Sequence, residues 1–206
     1  MPLIPGETRQ LSVLGAAVSA FASSPQIGLI VITLPPGEES AAKSCLPAEL
    51  FDREGYIHFV HGGPTRRASV FNALSFLESH NPSFVLIHDG ARPWINVTLI
   101  ENIIEAVIRN GAVIPVLPMA ETPKEIDGCG KFIIQHLRRK ALCIAQTPQG
   151  FKFPEILIAH EKAREKETAG FEYTDDAEVW GEFIGQVAVI PGDPKNRKIT
   201  YLEDIG

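Results

Sequence analysis

FVLIHDGARPWI, residues 84–95, is where the character of the chain shows most clearly. Phe84 to Ile87 form a short apolar run of the kind expected from a strand buried on both faces. The run stops at His88, Asp89, Gly90, Ala91, Arg92 and Pro93, which put an acid and a cation on one tight turn. A connection between core elements requires neither charge. A loop gripping a ligand with hydroxyls and phosphates requires both, because a carboxylate accepts from hydroxyls and a guanidinium pairs with phosphate. The plain alternative is an Asp–Arg pair bracing the turn ahead of a helix opened by Pro93, and surface pairs of that kind contribute little.

Outward from this stretch, apolar runs at 27–34, 56–60 and 111–117 also read as strands, while 11–21, 68–77 and 98–108 repeat apolar residues at helical spacing. Strand–helix alternation predicts an α/β fold with a mainly parallel sheet and helices on both faces. Ligands in such folds bind at the carboxyl ends of strands, so HGGPTRR (61–67) and HDGARP (88–93) are the loops of interest. Residues 121–137 break the rhythm: two short segments flank Asp127–Gly128, a strong turn signal, and predict a protruding β-hairpin arm reaching a partner subunit. The helical pattern resumes at 154–167 and after Thr174. QVAVIPG (186–192) reads as a strand, and RKITYLED (197–204) as a further strand running into a helix start. Without repeats, low-complexity tracts or linkers, residues 1–206 are expected to form one domain.

The 206 residues are 45% hydrophobic and 21% charged, an ordinary globular composition, with a formal charge of −6. That charge argues against a general nucleic-acid or membrane-surface binder, despite local clusters at Arg66–Arg67 and Arg138–Arg139–Lys140. Cys45, Cys129 and Cys143 form no CxxC pair, which suits a reducing compartment. The opening MPLIPGETRQ has no basic region followed by an apolar one, so a signal peptide is not expected. No apolar run approaches the roughly 20 residues needed to cross a bilayer. GxSxG, Walker-type and HExxH patterns are absent, disfavouring serine hydrolases, P-loop NTPases and zinc enzymes.

Several segments could carry chemistry. In HGGPTRRASV (61–70), the glycines allow close backbone approach, Arg66 and Arg67 can face phosphate, and Ser69 is expected to open a helix whose N-terminus favours anions. A capped helix after an ordinary loop would look the same. TPQG (147–150) offers a hydroxyl and an amide on a restrained turn. In YTDDAEVW (173–180), Thr174 and two acids stand at a helix start, where capping and the helix dipole account for them; a metal is the minority reading. KNRKIT (195–200) puts Lys198 just inside an expected strand, where it is otherwise a solvated lysine.

In order, Gly62-Gly63-x-x-Arg66-x-x-Ser69-Val70, His88 to Pro93, Glu121 to Lys124, Arg139 through Thr147-Pro148-Gln149, Thr174 to Ala177, and Asn196 to Asp204 resemble the 2-C-methyl-D-erythritol 4-phosphate cytidylyltransferase family of the non-mevalonate isoprenoid pathway. The resemblance covers about residues 11–205. It implies a Rossmann-like nucleotidyltransferase fold, and a homodimer joined through an arm within 119–147. It also implies dependence on CTP and on magnesium held mainly through the CTP phosphates, with no metal ligand assigned to the protein. The polyol 4-phosphate would attack the α-phosphate of CTP and release pyrophosphate. Gly63, Arg66, Ser69, Asp89 and Gly90 would serve the nucleotide, Asp89 also meeting polyol hydroxyls. Arg92 and Thr147 would hold the polyol phosphate, and Thr122 and Arg139 would reach the partner's site. Arg139 and Lys198 would be catalytic, offsetting charge on the phosphates.

The family normally opens with a strand and a loop of the form AAGxGxR followed by a lysine. Here MPLIPGETRQLSVLG aligns after that loop, and no lysine precedes Lys43. The intact downstream motifs lead us to expect that this sequence omits upstream residues; the alternative is a catalytically impaired nucleotide-binding homologue. Pro64 and Gly90 are smaller departures. Ribitol-5-phosphate cytidylyltransferase shares most of these motifs and is the alternative activity. The expected location is the cytoplasm, or a plastid in a plant or alga.

Overall fold

The computed structural model describes residues 11–167 and 171–205; the MPLIPGETRQ segment, on which the signal-peptide reading rests, lies outside the described residues. In chain order the elements are α1 (Val13–Ala22), β1 (Ile30–Leu34), α2 (Glu39–Ser44), β2 (Ile57–His61), α3 (Arg66–Glu78), β3 (Phe84–Ile87), α4 (Val97–Asn110), β4 (Ala112–Pro118), β5 (Lys124–Ile126), β6 (Ile133–His136), β7 (Cys143–Ala145), β8 (Gln149–Lys152), α5 (Glu155–Lys166), α6 (Asp176–Phe183) and β9 (Ala188–Pro191). Short 3-10 turns join them.

Helix α4 shows how local sequence sets these boundaries. Its cap is Asn96, whose side-chain oxygen accepts from the Leu99 N–H at 2.8 Å, a contribution of about 1 kcal/mol. Leu99, Ile100, Ile103, Ile104 and Val107 then recur at helical spacing and are buried together against Val113. Gly111 ends the helix at φ +79°, a conformation that glycine adopts without steric cost. The helix therefore begins at Val97 rather than at Pro93.

The α/β class holds, with one correction: the sheet is mixed rather than mainly parallel. β1 and β2 pair in parallel, as do β4 and β9. β8 runs antiparallel between β3 and β4, and β7 antiparallel to β4. The reason lies in the excursion at 121–137. The chain leaves β4, forms the antiparallel β5–β6 pair, and returns in the opposite direction through β7 and β8. Gly150 makes that return possible, because a Cβ there would lie 2.9 Å from Ile103 Cγ2.

Between the β1–β2 pair and the larger sheet lies an apolar cavity of about 880 Å³, lined by consecutive residues of β1 and β3 and by side chains of α1, α3 and α4. A main core cluster borders this cavity: Leu74 and Val85, which line it, pack with Phe151, Ile156 and Trp180. Among the described residues no helix is long and apolar enough to cross a membrane.

Candidate functional site

Three loops converge at the site, following β2, β3 and β9. The first follows β2. Thr65 caps α3, its Oγ1 accepting from the Ala68 N–H at 3.1 Å, so the helix opens at Arg66 and Ser69 lies inside it. This corrects the expectation that Ser69 opens the helix: the threonine with the extended backbone is the cap. Ser69 instead folds back on the loop, accepting from the Gly63 N–H at 3.0 Å and donating to Thr65 O at 3.0 Å. Gly63 is required for that closure, since a Cβ would stand 2.5 Å from the Ala68 Cβ. Gly62, Gly63 and Ser69, with Thr33 and Leu34 at the end of β1 and Pro35 and Pro36 just after it, line a second cavity of about 250 Å³. The residues from β1 carried no recognisable motif, and only strand pairing brings them beside the glycines.

The second loop follows β3. Asp89 accepts from Arg92 Nε at 3.3 Å, stands 3.4 Å from Lys198 Nζ, and lies 3.6 Å from Arg66 Nε. Burial alone would raise its pKa, but Lys198, Arg66 and Arg92 outweigh burial and hold the carboxyl below its ordinary range. Behind it, Thr147 Oγ1 accepts from the Asp89 N–H at 3.1 Å and lies 3.0 Å from His88 Nδ1, while His88 Nε2 lies 3.2 Å from Arg92 O. Burial pushes the His88 imidazole down to about 4, so it is neutral at pH 7. Gly90 is exposed at the turn.

The third loop follows β9. Asn196 is fully buried; its side chain donates to Thr147 O at 2.7 Å, and its carbonyl accepts from Arg92 Nη1 at 2.9 Å and Gln146 Nε2 at 3.0 Å. Lys198 is not in a strand: one backbone hydrogen bond, Ile199 N–H to Ala91 O at 2.8 Å, ties this irregular segment to the β3 loop. With no paired strand beside it, the lysine reaches Asp89 from the loop itself. Arg197 lies over the Trp94 ring at 4.6 Å, fixing the outer side.

Arg66, Arg92, Thr147 and Lys198 thus each contact Asp89, while Gly63 and Ser69 contact each other in the loop that leads into Arg66. Thr122 and Arg139 are not part of this linkage. Both are exposed, and Arg139 Nη1 donates to Ala120 O at 2.8 Å, beside β5. Gln146 carried no signal in the sequence; Asn196 and Gln149 lie within recognised motifs, and only their burial reveals what they hold. The Asp127–Gly128 turn is wider than expected. Asp127 Oδ1 accepts from the Lys131 and Phe132 N–H groups, and Gly130, not Gly128, takes the positive φ of +68°.

A carboxylate flanked by three cations, beside a glycine-walled cavity at the strand ends, is chemically able to pair with phosphate and to accept from hydroxyls. The IspD family model, 2-C-methyl-D-erythritol 4-phosphate cytidylyltransferase, matches residues 7–206, and the chain belongs to that family. It is 39% identical over 196 residues to the bifunctional enzyme IspD/IspF of a Bradyrhizobium species, covering 94% of this chain and 47% of that protein. The Chelativorans bifunctional IspD/IspF is 38% identical over 189 residues, 91% of this chain and 44% of that one. The chain spans about half the length of these curated relatives. Among solved structures, 4-diphosphocytidyl-2C-methyl-D-erythritol synthase from Anaerococcus prevotii has a TM-score of 0.83 at 30% identity, covering 97% of this chain and 85% of that one. The 2-C-methyl-D-erythritol 4-phosphate cytidylyltransferase of Thermus thermophilus gives 0.74 at 32%, with 96% and 86% covered.

Proposed function

We propose that this protein transfers CMP from CTP to 2-C-methyl-D-erythritol 4-phosphate in isoprenoid precursor synthesis. The observation that carries this reading is the grouping of Arg66, Arg92 and Lys198 around Asp89, next to the Gly62–Gly63–Ser69 cavity. A phosphate oxygen of the polyol phosphate bonds to the α-phosphorus of CTP. The bond from that phosphorus to the bridging oxygen breaks, and pyrophosphate leaves. The chain supplies no nucleophile; it holds two phosphorylated ligands in line and offsets their negative charge. Gly63, Ser69 and Gly90 would meet the nucleotide, Asp89 the hydroxyls, Arg92 and Thr147 the polyol phosphate, and Lys198 the attacking phosphate.

Magnesium belongs to this proposal only through CTP. Among the described residues no group of three His, Cys, Asp or Glu side chains could hold a metal ion. Asp89 already faces three cations, and Asp176 is buried against Arg66 and His160. These groups do not fit a direct metal site, and no step is assigned to the ion.

The working unit in this reading is a homodimer in the cytoplasm. Ile126, Phe132, Ile133 and Ile134 of the β5–β6 hairpin are all more than half exposed, an apolar strip that a second copy would cover. Such a pairing would bring the partner's Thr122 and Arg139 to the site, where Arg139 would act on the phosphates.

The test is pyrophosphate release from CTP and magnesium with either 2-C-methyl-D-erythritol 4-phosphate or ribitol 5-phosphate. Turnover with the first is expected. Turnover with ribitol phosphate alone would replace the substrate assignment, and CTP binding without turnover would make the chain a nucleotide-binding homologue.

A further inference from the structure

The Thr174–Ala177 and Thr147–Gln149 motifs hold more than the proposed chemistry uses. Gln149 is 1% exposed, and its Nε2 donates to Asp175 Oδ2 at 2.8 Å while its Oε1 accepts from the Ala177 N–H at 3.0 Å. Asp175 in turn caps α6 by accepting from the Glu178 N–H at 2.9 Å. The first turn of α6 is thereby clamped from two sides. Asp176, in that turn, is only 1% exposed, and its Oδ2 accepts from Arg66 Nη2 at 2.8 Å. Its other oxygen, Oδ1, lies 3.2 Å from Nε2 of the fully buried His160.

We propose that Asp176 is a positioning residue for Arg66: set in the helix turn that Gln149 and Asp175 fix, and flanked by His160, it draws one arm of the guanidinium inward so that Nε faces Asp89. Arg66 has two carboxylates within ion-pair distance, one buried and fixed, the other on the ligand-facing turn, with Asp175 as a more distant third. Without Asp176 the guanidinium keeps Asp89 as its ion-pair partner. It then swings to that carboxylate and takes up acceptor sites needed by ligand hydroxyls. A buried carboxylate also orients its partner better than a solvated one, since water does not compete for the oxygens of Asp176, which is 1% exposed. The CTP part of this inference rests on the proposed cytidylyltransferase reading; the Arg66–Asp176 relationship does not.

Two measurements separate these. In ¹⁵N NMR of the ligand-free protein, the Arg66 Nε–H resonance is expected at a distinct chemical shift in wild type and displaced in Asp176→Asn, as the guanidinium turns to Asp89, while the remaining spectrum stays folded. An undisplaced Arg66 signal in a folded Asp176→Asn overturns the proposal. Should Asp176→Asn fail to fold, Asp176→Glu, which keeps the charge but moves it, serves in its place with the same criterion. For function, CTP affinity is measured by calorimetry in a cycle of wild type, Asp176→Asn, Arg66→Gln and the double variant. Asp176→Asn is expected to weaken CTP about tenfold in the wild-type background and almost not at all with Arg66→Gln. Equal loss in both backgrounds means Asp176 acts structurally, and overturns positioning. A wild-type protein that binds no CTP sinks the proposed function, while the NMR result still decides on Arg66.

Discussion

Lys198 Nζ stands 3.4 Å from Asp89 Oδ2, the oxygen that Arg92 Nε also approaches, while Arg66 Nε lies by Oδ1. One acid thus holds three cations that would otherwise repel one another. It keeps them together before any phosphate arrives, and a phosphorylated ligand can then take over part of that pairing. Preorganisation of this kind moves the cost of collecting like charges from binding to folding.

Lys198→Ala is therefore expected to lower CMP transfer at least ~100-fold, the scale of losing a preorganised charged donor. Arg139→Ala should fall by a similar factor, although Arg139 makes no contact with this cluster within one chain. Steady-state pyrophosphate release checks both. Near-normal turnover in the two variants would remove their catalytic assignment.

The buried imidazole gives the fold a distinct pH response. His88 is held at about 4, against an ordinary 6.5, by burial. Below pH 6.5 the unfolded chain binds a proton there that the native state does not, so stability falls as pH drops from 6.5 towards 4. The full effect is roughly 3 kcal/mol. Asp89 acts lower on the scale: its depressed native pKa contributes stability above its ordinary 3.8, lost as pH falls through the native value. Urea midpoints at pH 7, 5.5 and 4.5 should decline in wild type and decline much less in His88→Gln. Parallel slopes would contradict the burial effect.

Much of this arrangement was legible before any coordinates. The runs at 27–34, 56–60, 84–88 and 111–117 became β1 to β4, because apolar β-branched runs bounded by turn residues have few other places to go. The loops after β2 and β3 were legible for the same reason, as strand ends define where charged turns gather. β8 was not: Gln149 to Lys152 carries no β-branched residue, and its strand is dictated by the space between β3 and β4. The roles of Asn196 and Asp176 were equally hidden. A buried asparagine or aspartate is defined by partners tens of residues away, which local patterning does not report.

Gly63 allows a sharp steric test. Gly63→Ala forces the loop off the Ala68 Cβ, and overpacking of this kind costs about 1–3 kcal/mol. The same shift breaks the Gly63–Ser69 hydrogen bond, so CTP binding should weaken as well. Gly28→Ala is the control: nothing lies within 4 Å of its added Cβ, and its midpoint should stay within about 0.5 kcal/mol of wild type. Thermal or urea unfolding of the pair gives the comparison, and equal stabilities would show that the loop accommodates the methyl group.

The hairpin decides whether one chain is enough. Phe132 is 69% exposed at its tip, with Ile126 at 57% and Ile134 at 60% on the strands below. Leaving such side chains in water is unfavourable, at about 25 cal/mol per Å² of apolar surface that a partner would otherwise cover. Phe132→Glu puts a charge where that cover would form and should convert a dimer to a monomer. Light scattering at micromolar concentration is expected to give about twice the mass of one chain for wild type and a single chain for the variant. Turnover should fall with the mass, because the partner's Thr122 and Arg139 no longer reach the site. Arg139→Ala provides the contrast, keeping the dimer while losing activity. A wild-type monomer with full turnover would show that the arm serves some purpose other than pairing, and that Arg139 works within its own chain.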